Sequence, residues 1–160
     1  MNTLIHILTY NRAIAAPQIG SDLSMIAMKL GTLEPAVTLY NPEIIYASPE
    51  QMSLWDDCFS IADYKVRVSR HKSVTVKFID DRGDERTWKC DDFDLSELLQ
   101  HEIDHLHGVL ATDCALPPIY ECNTVLCESM IKKDEFEKNR DSYNLFVDYI
   151  PTENKNDLHC

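Results

Sequence analysis

One stretch decides the fold, and at residues 94–108 it reads DLSELLQHEIDHLHG. Its apolar residues recur at the spacing of one face of an α-helix, and they are Leu95, Leu98, Leu99, Ile103 and Leu106. Asp94 and Glu97 have the spacing of a capping box, which predicts that the helix begins there, and Gly108 predicts its end. We therefore expect an amphipathic helix with one face against a core.

Two histidines in this helix point to metal chemistry. His101 and His105 are four residues apart, so they lie only about 40° apart around the helix axis and can bind one ion. Glu102 lies on the adjoining arc, where its carboxylate can reach a water at that ion without being a ligand itself. The spacing predicts a metal-assisted hydrolase.

Extended segments precede the helix. Residues 36–40 and 43–47 are separated by Asn41-Pro42, a dipeptide that favours a turn, so they are predicted to form a first hairpin. Residues 74–78 alternate apolar and polar side chains, and residues 86–90 can return as the partner strand of a second hairpin. Strands around one central helix indicate the α+β class.

After the helix, residues 124–149 mix charged and apolar side chains as an amphipathic helix would, and we expect a C-terminal helix there. The chain has 160 residues without a linker that would divide it, so residues 1–160 are predicted to be a single domain. Six cysteines are present, and we expect them to stay reduced in an unexported protein with an adequate core.

Charge and hydropathy exclude some partners. The formal net charge of −12 opposes binding to a phosphate backbone, so no nucleic acid is expected. From Glu121 onward five Lys or Arg residues stand against nine Asp or Glu, which makes docking on ribosomal RNA unfavourable. No apolar run approaches the roughly 20 residues of a membrane helix. We expect a cytoplasmic protein, with a mitochondrion or plastid as the alternative.

A catalytic metal site usually has three protein ligands, so a third must complement the histidines. One protease class places a histidine where this chain has Ala111, which excludes that class. Another uses a downstream glutamate, for which Glu128 is at a tolerable distance. The remaining candidate is Cys58.

Three short blocks resemble the peptide deformylase family: Ala15-Ala16-Pro17-Gln18-Ile19-Gly20, Cys58-Phe59-Ser60 and Gln100-His101-Glu102-Ile103-Asp104-His105-Leu106. Their order and spacing also fit that family. The resemblance implies antiparallel sheets around the motif helix. It further implies removal of the formyl group from the N-terminal formyl-methionine of nascent peptides, with release of formate.

The resemblance also implies a role for each residue of the blocks. Cys58, His101 and His105 would be the metal ligands and Glu102 the acid and base. Gln18 and the backbone N–H of Phe59 would form the oxyanion hole. A thiolate ligand suits one divalent transition metal, with Fe(II) or Zn(II) favoured and Ni or Co as alternatives.

The substrate side departs from the family pattern at several positions. Asn11 and Ala13 stand where the family has glycines, in the segment that with Ile14 is expected to bind the peptide backbone. Asp57 replaces the glycine before the metal cysteine, and Lys65 replaces an arginine that contacts the substrate. Most members also have a longer helix before the glutamine.

Three functions therefore follow from the sequence. The first is an active peptide deformylase acting on formylated peptide N-termini. The second is a related hydrolase that acts on another small formamide. The third is a metal-binding module without catalysis.

Overall fold

The computed structural model of the protein describes residues 13–30, 35–121, 124–144 and 149–151, and Asn11 lies outside them. Its strands are β1 (Ala13–Ala15), β2 (Met25–Met28), β3 (Val37–Ala47), β4 (Glu50–Asp57), β5 (Tyr64–His71), β6 (Val74–Ile79), β7 (Glu85–Cys90), β8 (Ile119–Glu121), β9 (Thr124–Cys127), β10 (Met130–Lys132) and β11 (Tyr149–Pro151). Its helices are a short 3-10 helix (Ala16–Ile19), α1 (Phe93–Leu106), α2 (Lys133–Lys138) and α3 (Arg140–Asn144).

The strands form three antiparallel sheets. The first has the order β1-β2-β3-β6-β7, the second β10-β5-β4-β11, and the third pairs β8 with β9. The central helix α1 contacts strands of the first two sheets, β1 and β5 among them. Antiparallel sheets around one motif-bearing helix confirm the predicted α+β class.

Helix α1 forms where the apolar periodicity predicts it, but its cap differs. Asp92 is the N-cap, and its carboxylate accepts a hydrogen bond from the backbone N–H of Leu95 at 3.0 Å. The cap thus lies two residues before the predicted Asp94. Gly108 follows the helix with φ of 75°, a left-handed conformation that glycine adopts without a steric penalty. Leu99 and Ile103 bury the apolar face in the core of the first sheet.

The second hairpin is confirmed, and the first one is wrong. β6 and β7 pair in register from Val74 opposite Cys90 to Ile79 opposite Glu85. Residues 37–47, however, form the single strand β3, and the turn predicted at Asn41-Pro42 is instead an irregularity in its pairing with β6. The strand continues because β2 and β6 pair with it along its length.

The predicted C-terminal helix over residues 124–149 is also wrong. The structure has strands β9 and β10, then two helices of six and five residues, and then β11. β10 pairs with β5, where Ile131 lies opposite Lys65. This long-range pairing overrides the mixed polar and apolar pattern. The single domain over residues 1–160 stays a prediction.

The cysteines are not all reduced. Cys58, Cys90 and Cys127 are free thiols, whereas Cys114 is disulfide-bonded. The expectation of reduced thiols is therefore wrong for Cys114. Among the described residues, no helix combines the length and apolarity needed to span a membrane.

Asn41 is the one non-glycine residue with positive φ in the described part of the chain, at 49°. A β-branched side chain is strained there, so Asn41→Val should lower the free energy of unfolding by about 1–2 kcal/mol. Asn41→Gly should leave it unchanged or raise it slightly, because glycine adopts this conformation freely. Urea unfolding of the three proteins checks this, and equal midpoints for both variants would contradict the strain.

Candidate active site

A thiol and two imidazoles converge between β4 and α1. Cys58 follows the last residue of β4, and its Sγ lies 3.2 Å from Nε2 of His105. Nε2 of His105 lies 3.1 Å from Nε2 of His101, one helical turn earlier. All three side chains are buried. The structure thus brings together the three residues that the sequence proposed as ligands.

These three atoms fit a divalent cation. They all lie within 4.8 Å of one another. Tetrahedral coordination with bonds of about 2.0–2.3 Å places neighbouring nitrogen and sulfur ligands roughly 3.3–3.6 Å apart, so only a small expansion of the observed contacts would admit the ion. A second group of possible ligand atoms, from Asp56, Glu97 and His101, shares a histidine with the first.

The orientation of both imidazoles is fixed by hydrogen bonds on their far side. Nδ1 of His101 lies 2.8 Å from Asp56 Oδ2, and Nδ1 of His105 lies 3.2 Å from the carbonyl oxygen of Val109. Because a carboxylate and a carbonyl only accept, each Nδ1 carries the hydrogen. Each Nε2 therefore faces the thiol, and such partners are the usual support of a metal-binding histidine.

A buried guanidinium balances the acidic residues behind the site. Arg70 on β5 donates to Asp56 Oδ2 at 3.2 Å and also to the carboxylate of Asp104. All three residues are buried, so the charges are stable only as a paired group. The sequence reading did not find Asp56 or Arg70. Asp104 accepts a hydrogen bond from Arg70 and thereby holds it.

The thiol and His101 shift each other's protonation. Burial by itself would raise the pKa of Cys58, but hydrogen bonds and charge from His101 and His105 outweigh it and lower the pKa to about 5. Burial by itself would lower the pKa of His101, but the hydrogen bonds to Asp56 and Cys58 raise it to about 11. A thiolate beside an imidazolium results, and a cation that binds here displaces the proton of His101.

Glu102 is the carboxyl group of the site that is suited to proton transfer. It is buried, and its Oε2 has no hydrogen-bond partner among the described residues. Burial raises its pKa to about 7, although His101 and His105 pull in the opposite direction. A carboxyl group with this pKa can both accept and return a proton near neutral pH.

A cavity of about 390 Å³ opens beside these groups. Its apolar lining comes from Ala13, Leu54, Trp55, Phe59 and Leu98. Its polar lining comes from Gln18, Asp56, Asp57, Glu97, His101 and Glu102. A cavity that combines apolar side chains with convergent polar groups is typical of a small-molecule or side-chain binding site.

Gln18 is held at the edge of this cavity by two hydrogen bonds. Its Oε1 accepts from the backbone N–H of Ala15 at 3.0 Å, and its Nε2 donates to Ser60 Oγ at 3.2 Å. The first bond fixes the orientation of the amide, so Nε2 is the end that faces the segment after Cys58. One of its two N–H groups is available beyond the bond to Ser60.

The four residues expected on the substrate side have different environments. Ala13 lines the cavity, whereas the Ile14 side chain packs in a core cluster with Met25 and Ala27. Asp57 lines the cavity too, and Lys65 lies 3.4 Å from its Oδ2. The Lys65 ammonium also lies 5.1 Å from the ring centre of Phe136 and is therefore engaged within the protein.

A second lysine binds Asp57, and the sequence did not predict this contact. Lys133 Nζ lies 2.5 Å from Asp57 Oδ1. Burial by itself would raise the pKa of Asp57, but the hydrogen bond to Lys133 and the charge of Lys65 outweigh it and lower the pKa. The carboxylate that replaces a glycine of the family is thus matched by cations. No sequence signal linked residues so far apart.

The other ligand candidates lie away from the site. Glu128 is exposed and belongs to neither group of possible metal ligands found in the described ranges. His107 is exposed as well.

Comparison with known proteins agrees with this geometry. A family model described as Polypeptide deformylase matches residues 1–118 of the 160 residues. The peptide deformylase of Borreliella burgdorferi is 37% identical over 100 residues, which cover 62% of this chain and 60% of that protein. The peptide deformylase of Syntrophomonas wolfei is 41% identical over 103 residues, covering 64% and 65%.

Solved structures give the same result. A peptide deformylase from Legionella pneumophila superposes with a TM-score of 0.65 at 31% identity, covering 71% of this chain and 68% of that one. A peptide deformylase from Synechococcus elongatus in complex with actinonin has a TM-score of 0.61 at 31% identity, covering 64% and 57%. The chain belongs to the polypeptide deformylase family. It spans less than two thirds of the length of the two curated relatives just described.

The raised pKa of Glu102 predicts a pH-dependent stability in the presence of a chelator. Its folded pKa of about 7 exceeds the ordinary value of 4.5, so this group stabilises the fold below pH 4.5 and loses that contribution as the pH rises through 7. Relative to Glu102→Gln, the wild-type free energy of unfolding should fall by on the order of 3 kcal/mol over this range.

Urea unfolding in EDTA between pH 4.5 and 7.5 measures the difference. Glu50→Gln, at an exposed carboxylate, is the matched control. Parallel pH profiles for wild type and Glu102→Gln would contradict the assignment.

Proposed function

We propose that this chain removes the formyl group from the N-terminal formyl-methionine of nascent peptides by metal-dependent hydrolysis, releasing formate. The supporting observation is a buried thiol and two imidazoles converging beside Glu102, whose Oε2 has no hydrogen-bond partner among the described residues, in the lining of a cavity. Membership of the polypeptide deformylase family supports the substrate. The cytoplasm is the proposed location.

Cys58, His101 and His105 would hold one divalent transition metal. The thiolate and imidazole donors suit Fe(II) or Zn(II), with Ni or Co as alternatives, and disfavour magnesium and calcium. When bound, such a cation supplies Lewis acidity and lowers the pKa of a water toward about 7.

Glu102 moves the protons in this proposal. Its carboxylate takes a proton from the water that attacks the formyl carbon, and it returns that proton to the amide nitrogen as the carbon–nitrogen bond breaks. The products are formate and a free amine. A buried carboxyl group with a pKa of about 7 can perform both steps without a large energetic cost at neutral pH.

Gln18 and the backbone N–H of Phe59 would stabilise the negative charge that develops on the formyl oxygen. Gln18 is suited to this because Ala15 fixes its amide orientation and directs Nε2 toward the segment after Cys58. A positioned donor that does not have to reorganise during the reaction is the effective kind of oxyanion stabiliser.

The cavity would receive the first side chain of the substrate, and Ala13 and Ile14 on β1 would border the peptide backbone. Asp57 and Lys65 are paired with each other, so they would meet the substrate as an ion pair. This pairing favours a second candidate function, the hydrolysis of a small non-peptide formamide, because such a substrate has no peptide backbone that Lys65 would have to bind.

Formate release from a short formyl-methionyl peptide tests the proposed function. Anaerobically iron-loaded wild type should turn the peptide over, and Glu102→Ala should lose about 10²–10⁴-fold in rate because the group that transfers the proton is removed. Absence of Glu102-dependent turnover would contradict the proposal.

Two further measurements separate the alternatives. Turnover of a non-peptide formamide alone would favour the second candidate. Metal content that is unchanged in Cys58→Ser would overturn the ligand set.

Gln18→Glu tests the oxyanion role with little change in shape. An oxygen remains to accept from Ala15, but the donor is lost, so kcat should fall about 10²–10³-fold. Ser60→Ala, which removes only the partner of Nε2, should have a smaller effect. Equal losses in both variants, measured by formate release, would show that Gln18 has only a structural role.

A further inference from the structure

Strand β4 presents alternate residues to two different neighbours. Asp56 contacts His101 of α1, and Cys58 just beyond the strand contacts His105. Trp55 and Asp57 lie on the opposite side, because successive side chains of a strand alternate. Those two residues contact the C-terminal segment, defined here as the described residues 127–143.

The C-terminal segment contacts two residues on this side of β4, Asp57 and Trp55. Lys133 forms the 2.5 Å ion pair with Asp57. The indole N–H of Trp55 donates to the backbone oxygen of Tyr143 at 3.1 Å, and the Phe136 ring centre lies 5.8 Å from that of Trp55. All three contacting residues lie beyond residue 118, where the match to the family model ends.

The two oxygens of Asp57 have separate cations. Lys133 binds Oδ1, and Lys65 lies at the longer distance of 3.4 Å from Oδ2. Lys65 belongs to β5, which is already paired with β4, and it reaches helix α2 through the ring of Phe136 at 5.1 Å. Lys133 joins Asp57 to helix α2 by a direct ion pair. Its loss would leave one carboxylate oxygen without a cation next to Cys58.

We propose that Lys133 is a positioning residue for the metal site, which acts through Asp57 on the strand end that presents Cys58. The inference rests on the ligand set of the proposed function. Other members have a glycine before the cysteine. Here Asp57 has that position, and its ion pair with Lys133 attaches the strand end to the C-terminal segment. Trp55, which lines the cavity, is held from the same side.

Affinity for Co(II) tests this role without turnover. Lys133→Met keeps the aliphatic stem but removes the charge, and it should weaken Co(II) binding about 10-fold, the usual effect of removing a residue that supports a ligand. Lys132→Met is the matched control, because Lys132 is the exposed neighbour and the variant has the same net charge. Lys133→Arg should restore wild-type affinity.

Competition with a chelator measures the affinity, and the thiolate-to-cobalt absorption band reports on Cys58 directly. In an Asp57→Asn background, Lys133→Met should have no further effect, because the partner is already neutral. Thermal unfolding of each variant verifies that it is folded.

Equal Co(II) affinity of Lys133→Met and Lys132→Met would overturn the proposal, as would an undiminished effect of Lys133→Met in the Asp57→Asn background. These outcomes are independent of the proposed reaction. Failure of formate release in a wild type whose cobalt affinity depends on Lys133 would contradict the reaction and leave the positioning role supported.

Discussion

The hydrogen bond between Nδ1 of His101 and the carboxylate of Asp56 ties the central helix to strand β4, and the site depends on it. It joins two elements that each carry part of the ligand set. Both groups are buried, so the bond persists only because Arg70 balances Asp56 and Asp104 balances Arg70. Removal of one charge from such a group leaves another buried without compensation, which costs far more than the pair gains.

The alternation of β4 lets one strand serve two purposes. Its helix-facing residue Asp56 orients the imidazole of His101 and its end introduces the thiol, while Trp55 and Asp57 on the opposite side contact the C-terminal segment. Because the side-chain period is two residues, a shift of one position would exchange these faces and remove both sets of contacts. The register with β5, from Gln51 opposite His71 to Asp57 opposite Lys65, therefore fixes the site as well as the sheet.

The departures from the family pattern are not independent of one another. Asp57 places a carboxylate where other members have glycine, and the cations at its two oxygens come from β5 and from the segment beyond the family match. Asp57 lines the cavity, and its charge there is compensated locally by the two lysines. A carboxylate beside the Cys58 thiolate would by itself add negative charge. Its ion pair with Lys133 makes Asp57 an attachment point for the C-terminal segment.

Local patterns were sufficient for part of this molecule. The sequence by itself determined helix α1, the hairpin of β6 and β7, and the shared face of His101 and His105, because these follow from periods of 3.6 and two residues within short stretches. The family blocks added Cys58 and Gln18. The tertiary structure decided the rest.

Strand β3 passes through Asn41-Pro42 because β2 and β6 pair along it, and β10 replaces a helix because β5 offers it an edge. The contacts of Asp56 with Arg70 and of Asp57 with Lys133 arise only when separate elements meet. The physical reason is that burial and charge pairing between distant residues contribute more free energy than local propensity, and they leave no periodic signal in the sequence.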